Sequence, residues 1–147
     1  MKKCLPWIAV LAWMLLIFNL SAQPAEQSDQ LSKGLTEKVV ESIKKTSPDS
    51  KLDFGTMHHQ IRKNAHFFAY LALGILVMYA VSRNSGTGGK AIWISLLICI
   101  LYAISDEMHQ IFVPGRSGQA SDVVIDSSGA LVGIMVHLAL CRLFGKN

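Results

Sequence analysis

Four apolar runs constrain this chain more than any other feature: Leu5 to Leu20, Ala65 to Val81, Ala91 to Ile104, and Val123 to about Cys141. The last is interrupted near its start by Asp126 and two serines. They span 14 to 19 residues, close to the ~20 that cross ~30 Å of hydrocarbon as a helix. Composition agrees, because 51% of the residues are hydrophobic and 16% charged, whereas a soluble domain carries about a quarter charged residues. The expected fold class is therefore all-α, a polytopic membrane protein of about four transmembrane helices. They form a single domain over residues 1–147, with helices at about 5–20, 65–82, 91–110 and 122–141. The third run reaches spanning length only if its helix continues past Ile104 through Ser105 and Asp106, which brings polar residues to the membrane boundary.

The segment between the first two helices, residues 21–64, is polar and expected to be extracytoplasmic. Within it "LSKGLTEKVVESIKK" places Leu31, Leu35, Val39, Val40 and Ile43 at helical spacing and reads as a short amphipathic helix, either a solvated connector or one lying on the membrane surface. The Gly/Ser-rich "SRNSGTGGK" is a tight connector between the second and third helices. Met1, Lys2 and Lys3 before the first run and small residues after it also fit a cleaved signal peptide. The length of the run and its Trp7, Trp13 and Phe18 argue against cleavage. Short-loop charges set orientation. Lys2, Lys3, Arg83, Lys90, Arg142 and Lys146 fall on one side of a four-helix arrangement, which predicts both termini in the cytoplasm of a multi-pass cell-membrane protein. Cys4, Cys99 and Cys141 suggest no pair. The net charge of +4 comes without a basic, aromatic-interleaved patch, so a nucleic-acid partner is excluded.

Charge concentrates in "SDEMHQIFVPGRSGQASDVVIDSSG", residues 105–129. If the third helix continues to Gln110, then Tyr102, Asp106, His109 and Gln110 project from one face. Pro114 and Gly115 end that helix and present Arg116 in a turn. Ser121 or Asp122 can cap the fourth helix, where Asp122 and Asp126 share a face one turn apart. That face continues as Gly129, Gly133 and His137, and the glycine spacing permits close approach of another helix. The second helix offers Arg62, His66, Tyr70 and Gly74 at intervals of four, with Lys63 and Asn64 beside them. Charges at mid-membrane are costly, so Asp106, Glu107, His109, Asp122 and Asp126 together suggest a site. The alternative is a network of ion pairs and caps: Asp122 as the cap, Arg116 with Asp106 or Glu107, His66 with a carboxylate. Carboxylates and histidines could hold Mn or Zn, but no strong ligand signature is present and His58 and His59 read as a polar pair, so no cofactor is expected.

"RKNAHFFAYLALG" followed by "SDEMHQIFVPGRSGQASDVVIDSSG" resembles the VanZ-like membrane proteins, and so does "IFNLSAQPAEQSDQLS" at the exit of the first helix. The likeness runs from the first helix to Gly133, and it weighs further against a signal peptide. Asp126 departs from it, since the family pattern has Asn there. The resemblance implies a small polytopic envelope protein associated with lowered susceptibility to teicoplanin. Its polar residues map onto His66, Tyr70, Asp106, Glu107, His109, Gln110, Arg116 and Asp122. The function expected is engagement of a lipid-linked envelope precursor or lipoglycopeptide, among other membrane lipids, by an outward-facing polar cavity. Arg116, aided by Arg62 or Lys63, would clamp the anionic group. The rival expectation is an enzyme acting on a lipid headgroup, with Asp106 or Glu107 paired with His109 as acid and base. No nucleophile stands out for it, so an enzyme is the weaker expectation. A structural or assembly role is the third.

Overall fold

In the computed structural model the described residues are 4–24, Gly34, 54–116 and 118–144, with side-chain detail in the second helix beginning at Lys63. They form four helices and no strand: α1 (Leu5–Ser21), α2 (Phe54–Ser85), α3 (Gly89–Gln110) and α4 (Ala120–Phe144). Lys63–Ser85, Gly89–Gln110 and Ala120–Phe144 are long and apolar enough to cross a membrane. With 17 residues, α1 lies at the short end of the spanning range. The expected amphipathic helix at residues 31–45 lies outside the described residues except for Gly34, and so do the side chains of His58, His59 and Arg62.

Two boundaries differ from the sequence reading. The second helix begins at Phe54, eleven residues before its apolar run at Ala65. Hydropathy marks where a helix can meet lipid, whereas backbone hydrogen bonding continues through polar residues until proline or a turn stops it. The fourth helix begins at Ala120, so Ser121 and Asp122 lie in its first turn and not at its cap. There the Asp122 carboxylate faces the positive end of the helix dipole, a favourable position in its own right.

The densest packing joins α2 to α4. These two helices run parallel, as successive contacts show: Lys63 meets Asp122, His66 meets Asp126, Phe67 meets Gly129 and Leu71 meets Gly133. A Cβ at Gly74, Gly129 or Gly133 would overlap a backbone carbonyl of the facing helix, at Ala130, Phe67 and Leu71 respectively. Small residues matter here because hydrocarbon supplies no hydrophobic drive between helices, and close backbone contact has to provide the attraction. Tyr70, Leu73, Val77, Met78, Cys99, Ala103 and Ile134 fill the interior. Phe68, Trp93, Leu101 and Met135 are exposed on the outside, as a lipid-facing surface requires.

α1 packs chiefly on α2. The Trp13 indole donates to the Ala69 carbonyl at 2.9 Å, and the Tyr102 hydroxyl donates to the Met14 carbonyl at 2.6 Å.

The α2–α4 contact predicts that Gly133→Ala will force the helices apart. Its expected cost is about 1 to 3 kcal/mol, the usual range for overpacking. Thermal unfolding in detergent followed by circular dichroism should show a lowered midpoint. Gly89→Ala, where nothing lies within 4 Å of the added carbon, should leave it unchanged.

Candidate functional site

The polar residues gather at one end of the bundle because α3 ends and α4 begins there with acidic residues on their inner faces. α3 keeps its helical hydrogen bonding through Ser105 and Asp106 to Gln110. The chain then leaves through short backbone bonds from Phe112 N to His109 O and from Val113 N to Gln110 O. Pro114 and Gly115 complete a tight turn closed by Arg116 N donating to Val113 O at 3.1 Å. Gly115 has φ +77°, the left-handed value that this Pro-Gly turn requires and that glycine adopts without steric cost.

Asp106 is 2% exposed and Asp126 1% exposed. The Ser21 hydroxyl, at the last residue of α1, donates to Asp106 Oδ2 at 2.8 Å, and Gln110 Nε2 donates to the same oxygen at 3.2 Å. His66 Nδ1 stands 3.7 Å from Asp126 Oδ2. The ligating atoms of His66, Asp106 and Asp126 lie within 4.8 Å of one another. Three buried polar atoms in this region have no hydrogen-bond partner among the described residues: Asp106 Oδ1, Asp126 Oδ1 and the Tyr70 hydroxyl. Nearly all buried polar groups in native proteins are satisfied, so three together mark a place where something else is accommodated.

Around this centre is a polar rim. Lys63 Nζ pairs with Asp122 Oδ1 at 2.9 Å. Glu107 Oε1 accepts from the Gln119 backbone N–H at 2.5 Å, tying the end of α3 to the start of α4. Arg116 donates to Gln110 Oε1 at 3.2 Å and to the Leu20 carbonyl at 3.3 Å. A small cleft of about 10 Å³ opens between Lys63, His66, Glu107, Asp122 and Asp126, room for about one water.

His66, Tyr70, Asp106, Glu107, Gln110, Arg116, Asp122 and Asp126 thus occupy one region, but His109 does not join Asp106. Its ring lies on Phe18 of α1, with centroids 4.4 Å apart. At about 100° per residue, Tyr102 and His109 fall roughly 40° and 60° to one side of Asp106, whereas Gln110 falls to the other. That arc is wide enough to meet different neighbours, so Tyr102 and His109 face α1. The sequence paired Asp106 or Glu107 with His109, whose ring lies on Phe18, and the imidazole beside the two buried aspartates is that of His66. Ser21 was not among the residues picked from the sequence. As the first hydroxyl after the apolar run, it carries no periodic signal of its own.

A second feature lies deeper along α1 and α2. An apolar groove of about 670 Å³, lined by Ala9, Trp13, Leu16, Ala72 and Leu76, runs from roughly one and a half to roughly three turns below the level of Ser21 and His66.

The sequence matches the family model described as VanZ/LLP1 over residues 6–142. Comparison with curated proteins and with solved structures gives no match.

The Ser21 contact is directly testable. Ser21→Ala removes a donor from a buried carboxylate, and an expected loss of about 1 to 3 kcal/mol follows. Combined with Asp106→Asn, the loss should be smaller than the sum of the two single effects. Thermal unfolding of the four proteins in detergent gives the coupling.

Proposed function

The chain belongs to the VanZ/LLP1 family, and from that premise we propose that this membrane protein receives an amphiphilic, anionic molecule of the cell envelope. The headgroup sits at the polar end of the bundle and the apolar tail in the groove between α1 and α2. Engagement of such a molecule, a lipid-linked precursor or the lipoglycopeptide itself, lowers susceptibility to teicoplanin-type antibiotics. Both termini lie in the cytoplasm, so the polar end faces outward.

The observation that carries this reading is the alignment of the 670 Å³ apolar groove with the polar end of the same two helices. An amphiphile has the same two-part character, and the groove offers its tail close packing against two helices in place of contact with other lipid chains. Lys63 and Arg116 supply the positive charge at the rim. Their hydrogen-bonded partners hold them in place, and a planar guanidinium suits a phosphate or carboxylate.

The test expresses wild type, Arg116→Ala and Ala72→Phe at matched membrane levels in a susceptible Gram-positive host. Growth inhibition is measured with teicoplanin beside vancomycin. Wild type should raise the inhibitory concentration of teicoplanin several-fold. Arg116→Ala should lose that protection through the headgroup site and Ala72→Phe through the filled groove. Protection unchanged in Ala72→Phe would remove the groove from the mechanism, and no protection by wild type would remove the antibiotic role.

A further inference from the structure

One imidazole and two carboxylates from three different helices converge at the polar end, their ligating atoms within 4.8 Å of one another. We infer that His66, Asp106 and Asp126 bind a divalent first-row cation of the Mn²⁺ or Zn²⁺ class. The inference concerns the ion alone and does not depend on which headgroup, if any, the rim receives.

The donor set selects the ion class. Two oxygens and one nitrogen without sulfur suit Mn²⁺, Fe²⁺ or Zn²⁺. Thiolate-seeking Cu(I) is disfavoured, and the imidazole argues against Mg²⁺ and Ca²⁺. The spacing fits with little adjustment. Ligands about 2.0 to 2.2 Å from an ion lie roughly 3 to 4.4 Å from one another. The 3.7 Å between His66 Nδ1 and Asp126 Oδ2 is within that range, and rotation of the carboxylates closes the remainder.

The unpartnered oxygens are the second, independent sign. Asp106 Oδ1 and Asp126 Oδ1 are buried without a hydrogen-bond partner among the described residues, in side chains that are almost wholly enclosed. Asp106 Oδ2, by contrast, accepts from both Ser21 and Gln110. Those two donors fix the carboxylate and leave its other oxygen available, the arrangement by which outer contacts orient a metal ligand. The charges also agree, because two carboxylates face one imidazole and a divalent cation balances them where water would not. The cleft past Lys63 and Asp122 gives a way in. With three protein ligands, coordination positions remain on the cleft side for water or another oxygen donor.

The full-length protein, purified in detergent and stripped with a chelator, is titrated with Mn²⁺ while free Mn²⁺ is followed by electron paramagnetic resonance. Saturable uptake of one ion per chain is expected, displaced by Zn²⁺. Asp126→Asn, which keeps the side-chain shape, should weaken uptake by roughly tenfold or more, whereas His109→Ala should not change it. Nitrogen coupling to the bound Mn²⁺ should be seen in wild type and lost in His66→Gln. Wild type alone supplies a further readout, since an ion that binds the folded state raises its thermal midpoint. Absence of saturable uptake by wild type, or uptake equal in Asp126→Asn and wild type when both show native helical content, overturns the inference. So does a wild-type midpoint that Mn²⁺ and Zn²⁺ leave unmoved.

Discussion

Two carboxylates on different helices meet inside an otherwise apolar bundle, and the rest of the polar end is arranged around that fact. Two negative charges ~5 Å apart repel by about 3 kcal/mol even at an effective dielectric of ~20. Lipid offers no water to screen them. Three helices therefore contribute a partner, Ser21 from α1 and Gln110 from α3 to Asp106 and His66 from α2 to Asp126 of α4. The polar cluster consequently ties all four elements together at one end. Removing one partner from such a cluster costs more than the partner's own hydrogen bond, because the remaining buried group is left uncompensated.

That meeting point depends on the glycines. Gly129 and Gly133 press against carbonyls of Phe67 and Leu71, and Gly74 presses against Ala130, so α2 and α4 approach as closely as helix backbones allow. The same parallel register carries upward to His66 with Asp126 and to Lys63 with Asp122. Widening the separation by a methyl group would therefore move His66 relative to Asp126 as well as the packing. Geometry at the site and van der Waals contact deeper in the bundle are two consequences of one register.

The sequence disclosed the parts of this arrangement that follow from periodicity. Long apolar runs announce helices that can cross a membrane, and Asp122, Asp126, Gly129 and Gly133 share a face whatever the fold. Periodicity gives an angle around a helix, however, and not the identity of the neighbour at that angle. This is why His109 looked equivalent to Gln110 as a companion for Asp106, although the two point to different helices. Ser21 and the Glu107 bond to Gln119 are contacts across the fold with no local signature. The start of α2 at Phe54 was hidden for a different reason: its first turns are helical by backbone bonding and too polar to be marked by hydropathy.

α1 shows how polar contacts act when apolar ones are weak. In hydrocarbon its leucines gain little by meeting another helix instead of a lipid chain, and many of them, including Leu11 and Leu15, point outward. It is held by the Trp13 bond to Ala69 and the Tyr102 bond to Met14 at one level, and two turns later by Arg116 to Leu20 and Ser21 to Asp106. A seven-residue interval returns to nearly the same face, so these four bonds form one seam. Its two ends serve different features. Trp13 is part of the groove wall, while Ser21 occupies an oxygen of the central carboxylate. Anything that spreads the groove by displacing α1 also pulls at the Ser21 donor, and a change at Asp106 is felt along the same helix. Apolar groove and polar centre are therefore mechanically coupled through one short helix attached by few bonds.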